Sequence, residues 1–195
     1  MAKNKLKKFS QLKEYNHVIE PSINDLDSDF YLKGKWRSDF FKNKNPIVLE
    51  LGCGKGEYTI GLAEKFPDKN FIGVDIKGAR MWRGARTATD KMMKNVGFLR
   101  TQIELIDHCF SKGEVSEIWI TFPDPQIKYR RRKKRLTSPS MLDKYRSILS
   151  DDALLHLKTD SQFLYGYTLG ILEGLGYEIL DSSYDIDRQK PDDEL

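Results

Sequence analysis

Asp124 lies between Pro123 and Pro125, at the end of the apolar run Ile118-Trp119-Ile120-Thr121-Phe122. Two prolines restrict the backbone on either side and hold the acid stiffly. Beyond it, Lys128 to Arg135 carries a charge at every position except Tyr129. A fixed carboxylate at the end of a buried strand is where an α/β enzyme keeps its chemistry. A dense cationic loop beside it is where a polyanion would lie. The segment therefore suggests a reaction site and the class of its substrate together. The plainer reading of Asp124 is a strand-terminating turn.

A second constellation is Glu50-Leu51-Gly52-Cys53-Gly54-Lys55-Gly56, which follows the apolar run Ile47-Val48-Leu49. Glycines let the backbone turn tightly and let a ligand approach closely. The spacing is GxGxG, neither the dinucleotide fingerprint nor a P-loop, since Gly56 stands where Ser or Thr would follow the lysine. Asp75 ends the next apolar run, at the spacing from which an acid commonly binds ribose hydroxyls. Gly52, Gly54, Gly56 and Asp75 together point to a nucleoside cofactor. Glu50 narrows the choice, because a carboxylate in an apolar strand is costly unless paired. A cationic ligand would supply the pair. S-adenosylmethionine, with its amino group and sulfonium, suits that acid, whereas the pyrophosphate of NAD would be repelled. The alternatives are a salt bridge from a neighbouring Lys or Arg for Glu50 and a helix cap before Lys77 for Asp75.

These residues need elements to hold them. Apolar runs at 47–51, 70–74, 96–100, 117–122, 153–158 and 177–181 read as strands. The intervening segments 56–66, 77–93, 103–109, 139–149 and 161–174 read as helices, with Met81, Ala85, Ala88 and Met92 as the core stripe of the second. Alternating strands and helices predict an α/β, Rossmann-like fold with a mostly parallel sheet covered on both faces. Ligands then bind at the carboxyl edge of the sheet, where strand order switches. Glu50, Asp75, Gln102, Asp124 and Asp160 all fall on that edge. Asp160, in Thr159-Asp160-Ser161, reads equally well as a helix cap. Residues 1–45 are expected to form a basic arm and a short helix that packs on a main domain at 46–195.

With 195 residues and a net charge of +4, the chain is long enough for a real core and is basic only locally. The lysines at 3, 5, 7 and 8 form a second cluster, which reads equally as a solvated arm. The two cysteines form no CxxC pair and the three histidines are scattered, so no metal site is expected. No apolar stretch suits a membrane span or a signal peptide. The expectation is a reduced, cytoplasmic protein, with its oligomeric state open between monomer and homodimer.

Taken in order, Glu50–Gly56, Gly73-Val74-Asp75-Ile76, Phe122-Pro123-Asp124-Pro125 with its cationic tail, and Lys158-Thr159-Asp160 resemble the tRNA (guanine-N7-)-methyltransferases, class I S-adenosylmethionine-dependent enzymes. The glycine turn alone marks only the superfamily; the acidic turn with its basic tail narrows the match. The resemblance runs from about residue 46 to about residue 181. It implies cofactor contacts from Glu50, Asp75, Gln102 and Asp124, a catalytic position at Asp124, and tRNA contacts from Lys128 and Asp160. Arg130, Arg131 and Arg132 would hold tRNA phosphates, and the target would be a guanine of the variable loop. Three departures stand out. The family's Pro-Trp-Pro-Lys is here Pro125-Gln126-Ile127-Lys128, its usual Asp near the adenine is Gln102, and its closing Thr-x-Tyr-Glu segment is not found. A sheet without its last strand is therefore expected. Two other classes fit the residues less well: a methyltransferase for another RNA site or for protein, and a non-catalytic RNA-binding module.

Overall fold

The structure, a computed structural model, describes residues 2–27 and 30–185. Its centre is β2 (Ile47–Leu51), which lies between β3 (Asn70–Val74) and β5 (Val115–Thr121). The chain runs outward through β3 to β4 (Val96–Leu99), then returns across β2 to β5 and outward again to β6 (Leu149–Lys158). A two-residue strand, β1 (Val18–Ile19), pairs with β4 at the far edge, so the order is β1-β4-β3-β2-β5-β6 with every pair parallel. Strand order switches at β2, so the crevice expected of such a sheet opens beyond its carboxyl end.

Strand alternation divides the core in two. Ile47, Leu49 and Leu51 of β2 join Ile72, Val74, Ile118 and Ile120 on one face, under α5 (Ile106–Cys109) and α6 (Pro139–Ile148). Val48, Phe71, Phe98 and Trp119 point to the other face, under α1 (Ala2–Leu12), α3 (Glu57–Lys65) and α4 (Gly78–Asp90). Glu50 shares the parity of Val48. Its carboxylate is therefore directed toward α3 rather than into the apolar layer beneath α6.

The N-terminal segment is more than the arm and single helix expected. It adds β1, a short helix α2 (Ile23–Asp27) and a π-helical turn at Trp36–Phe41. The Glu114 carboxylate ties this segment down by accepting from the backbone amides of Gly34 (2.8 Å), Trp36 (3.0 Å) and Ser111 (2.9 Å). A two-residue strand carries too little alternation to be visible in sequence.

Two further expectations are corrected. The helix expected to run to residue 93 ends at Asp90, and Met92 leaves the core stripe with φ of 51° and 83% of its surface exposed. Met93 takes the inward position instead. No glycine or proline marks this stop, which is why periodicity overran it. The strand expected at 177–181 does not form. Gly176, with φ of 72°, ends α7 (Gln162–Gly174), and Tyr177 turns back to donate to the Leu172 carbonyl at 2.9 Å. An alternating pattern makes a strand only where a neighbour offers ladder partners. The expectation about the last strand falls mainly on residues 186–195, which lie outside the described residues.

Candidate functional site

The turn after β2 is held from beneath by β3. The amides of Gly52 and Cys53 donate to the Val74 carbonyl, at 2.8 and 3.1 Å. Gly52 has φ of 81°, and a side chain there would meet nothing closer than Leu136 Cδ1 at 3.9 Å. Its lack of a side chain leaves the space above the turn open. Gly56 differs: an added Cβ would stand 2.7 Å from the Phe98 ring, so it is required for packing as well as for its φ of 73°. Of the expected cofactor glycines, Gly52 and Gly54 border open space and Gly56 serves the core.

Asp75 completes the turn. Its Oδ2 accepts from the Gly54 amide at 3.0 Å and its Oδ1 from the Lys77 amide at 2.7 Å. Each carboxylate oxygen retains a free lone pair. Asp75, Ile76, Gln102, Ile103, Glu104 and Leu136 line one open cleft of about 340 Å³. Two of the expected cofactor residues, from the ends of β3 and β4, therefore share a pocket of ligand size.

Glu50 is 5% exposed, and the alternative of a salt bridge from a neighbouring Lys or Arg is not met among the described residues. Its Oε2 accepts from the Thr59 amide at 2.8 Å and from the Thr59 hydroxyl, and its Oε1 accepts from the Thr121 hydroxyl at 2.7 Å. Two neutral threonines, from α3 and the end of β5, hold the carboxylate where the alternative reading placed a Lys or Arg. Sequence reasoning missed both, because an isolated Thr carries no signal until the strands are aligned. Burial pushes the Glu50 carboxyl above its ordinary pKa; the threonine hydrogen bonds oppose this and the Asp75 charge adds to it. Hydrogen bonds hold the carboxyl in place, and no Lys or Arg pairs with it among the described residues. A glycine turn open above, an acid at the cleft and a buried carboxylate with no ion-pair partner among the described residues together suit a cationic nucleoside such as S-adenosylmethionine.

Across β2, the β5 ladder continues one residue past its end: the Phe122 amide donates to the Lys158 carbonyl at 2.8 Å. The chain then bends through two non-glycine residues with positive φ, Phe122 at 46° and Gln126 at 48°. Such residues are uncommon and store strain, which concentrates at functional sites. Between them Asp124 is exposed, its Oδ1 accepting from the Gln126 amide at 3.0 Å. Asp124 does not line the cleft; it stands past the end of β5, on the other side of β2. Phe122 is half exposed, and its ring lies 6.2 Å from the Tyr58 ring.

The cationic run is a 3₁₀ helix over Tyr129–Lys134. Lys128 and Arg130 are exposed, and their side chains have no ion-pair or hydrogen-bond partner among the described residues. Arg131 reaches Gln126 Oε1 at 3.5 Å, and Arg132 lies over the Tyr129 ring at 4.2 Å. The run was read as an exposed footprint through Arg135, but Arg135 is 6% exposed and turned inward. Asp160 is exposed at the end of β6 and caps nothing: Ser161 caps α7, its Oγ accepting from the Leu164 amide at 3.3 Å.

Comparison with known proteins fits this geometry. The profile of a family described as "Putative methyltransferase" matches residues 44–191. A tRNA (guanine-N(7)-)-methyltransferase of Christiangramia forsetii is 61% identical over 95% of this chain and 83% of its own length. One of Bacteroides fragilis is 56% identical over 92% of this chain and 71% of its own. Among solved structures, an antibiotic-related methyltransferase superposes with a TM-score of 0.59 at 18% identity, over 86% of this chain and 81% of its own. A 16S rRNA (adenine(1408)-N(1))-methyltransferase mutant from Catenulisporales acidiphilia, solved with S-adenosylmethionine, gives 0.52 at 17% identity, over 75% and 65%. At such identities the likeness concerns the fold.

Proposed function

The chain belongs to the family of tRNA (guanine-N(7)-)-methyltransferases, and from that premise we propose which of its residues carry the reaction and on which guanine. It is a class I methyltransferase that uses S-adenosylmethionine to methylate N7 of guanine in tRNA. The target is a guanine of the variable loop, and the reaction takes place in the cytoplasm, with tRNA as its substrate. The observation that carries this reading is the convergence of two constellations on one edge of the sheet, on either side of β2. A nucleoside cleft follows β3 and β4, and a strained acidic turn with an exposed cationic helix follows β5.

When bound, S-adenosylmethionine supplies an electrophilic methyl group. Glu50 offsets its positive charge, Asp75 accepts from the ribose hydroxyls, and Gln102 hydrogen-bonds the adenine edge. Guanine N7 has its own lone pair, so no residue need remove a proton before attack. The chain must instead place the base in line and at close range. The base becomes cationic as N7 is methylated, and the Asp124 carboxylate, already fixed by the Gln126 amide, stabilises that charge. Asp160 has no hydrogen-bond or ion-pair partner among the described residues and is free to orient the guanine edge. Phe122 and Tyr58 offer ring faces for a base taken out of its stack. Lys128 and Arg130–Arg132 hold phosphates.

The test is mass spectrometry of tRNA nucleosides after incubation with enzyme and S-adenosylmethionine. N7-methylguanosine should appear in the variable-loop fragment and nowhere else. Asp124→Ala should abolish it while tRNA binding persists. Methylation at another site, or an active D124A, removes the reading.

A further inference from the structure

Seven successive residues, Lys128 to Lys134, face solvent, and then the fold turns the eighth inward. The Arg135 guanidinium lies between two elements. On one side its carbon stands 4.3 Å from the centroid of the Tyr167 ring and 4.7 Å from that of Phe163, both on α7. On the other, Nε donates to the Gln126 carbonyl and a terminal nitrogen donates to the Ile127 carbonyl, each at 3.3 Å. A planar group with donors on two edges and a face for aromatic rings is what these contacts require. A lysine ammonium cannot supply all of them.

Those two carbonyls belong to the turn that carries Asp124. Gln126 sits in the left-handed region at φ of 48°, which a non-glycine residue keeps only when its surroundings enforce it. From that conformation its amide points at Asp124 Oδ1. The rings, for their part, stand on the first turns of the helix that follows Asp160. A single guanidinium thus bridges the turn bearing one free acid to the helix that begins beside the other.

We propose that Arg135 is a positioning residue: it sets the placement of Asp124 relative to Asp160, and it binds no phosphate. The proposal rests on the roles given above to those two acids. Misplacing a reacting group by about 1 Å can cost a hundredfold in rate. Removing the clamp should therefore show in turnover rather than in tRNA capture.

The experiment compares Arg135→Lys and Tyr167→Leu with the parent chain, with Tyr167→Phe as the variant that keeps the ring. For each, kcat, KM for tRNA, tRNA affinity across a salt series and melting temperature are measured. R135K and Y167L should lower kcat at least tenfold, with KM and the salt slope within twofold of the parent. Y167F should retain the parent kcat. An unchanged kcat in R135K overturns the proposal. So does a shallower salt slope, which marks a lost phosphate contact. A loss of activity that tracks only the folded fraction, with unchanged turnover per folded molecule, does so as well. Asp124→Ala, run alongside, separates the two levels: an inactive D124A with an unimpaired R135K removes the Arg135 proposal alone, whereas an active D124A removes the role of Asp124.

Discussion

At the scale of single residues, the cofactor role proposed for Glu50 and its contribution to stability favour opposite protonation states. Its folded pKa is raised, so the folded chain holds the Glu50 proton more tightly than the unfolded chain does. That contribution to stability is present at low pH and is lost as pH rises from the ordinary carboxylate value through the raised one. A bound cation reverses the preference, because it favours the charged form. S-adenosylmethionine affinity should therefore rise with pH across that window, by calorimetric titration. S-adenosylhomocysteine, which lacks the sulfonium charge, should show a smaller rise. Glu50→Gln should weaken S-adenosylmethionine binding roughly tenfold, about 1.4 kcal/mol, without lowering the melting temperature. Phe122→Ala should cost about 1 to 3 kcal/mol of base stacking, read as a fall in kcat/KM for tRNA. A tRNA methylation rate unaffected by that change would remove Phe122 from the base platform.

At the scale of elements, the pairing of β5 with β6 is reinforced on one face by a charged cluster. Glu117 lies 2.8 Å from Lys69 Nζ, accepts from Trp119 Nε1 at 2.8 Å and stands 3.0 Å from His156 Nε2, whose ring stacks on Trp119 at 4.2 Å. Burial alone would raise the Glu117 pKa, but the nearby His156 ring and the hydrogen bonds from Lys69 and Trp119 outweigh it and hold the carboxyl at about 2. The stabilisation is present above the ordinary value of 4.5 and is lost as pH falls toward about 2. Glu117→Gln should therefore lower the melting temperature at neutral pH and flatten its decline across that acid range. The glycine turn is a second element-scale device. Gly56→Ala forces a Cβ against Phe98 in a left-handed conformation, and should cost about 1 to 3 kcal/mol in denaturant unfolding.

At the scale of the whole molecule, the exposed helix Tyr129–Lys134 flanks the Asp124 turn and is suited to guide a polyanion onto the carboxyl edge of the sheet. Neutralising Arg130, Arg131 and Arg132 together should weaken tRNA binding and flatten its dependence on salt; an unchanged slope would argue against the footprint. Much of this edge is legible in the sequence. The runs Ile47–Leu51 and Asn70–Val74 have the bounds of the strands they form, because buried parallel strands read as short apolar runs between turn residues. Once strands and crossovers are recognised, topology alone brings Glu50, Asp75, Gln102, Asp124 and Asp160 to one rim. What each residue meets there is decided between segments far apart in the chain. Glu50 depends on Thr121, 71 positions away, and only the register of β2 against β5 brings them together. Arg135 belongs to the same cationic run as Lys128, yet α7 draws it inward and leaves the others in solvent. Composition and local pattern determine which residue types reach an edge, because they act through periodicity along the chain. Pairing, burial and charge balance depend on contacts between distant segments, and those only the tertiary structure decides.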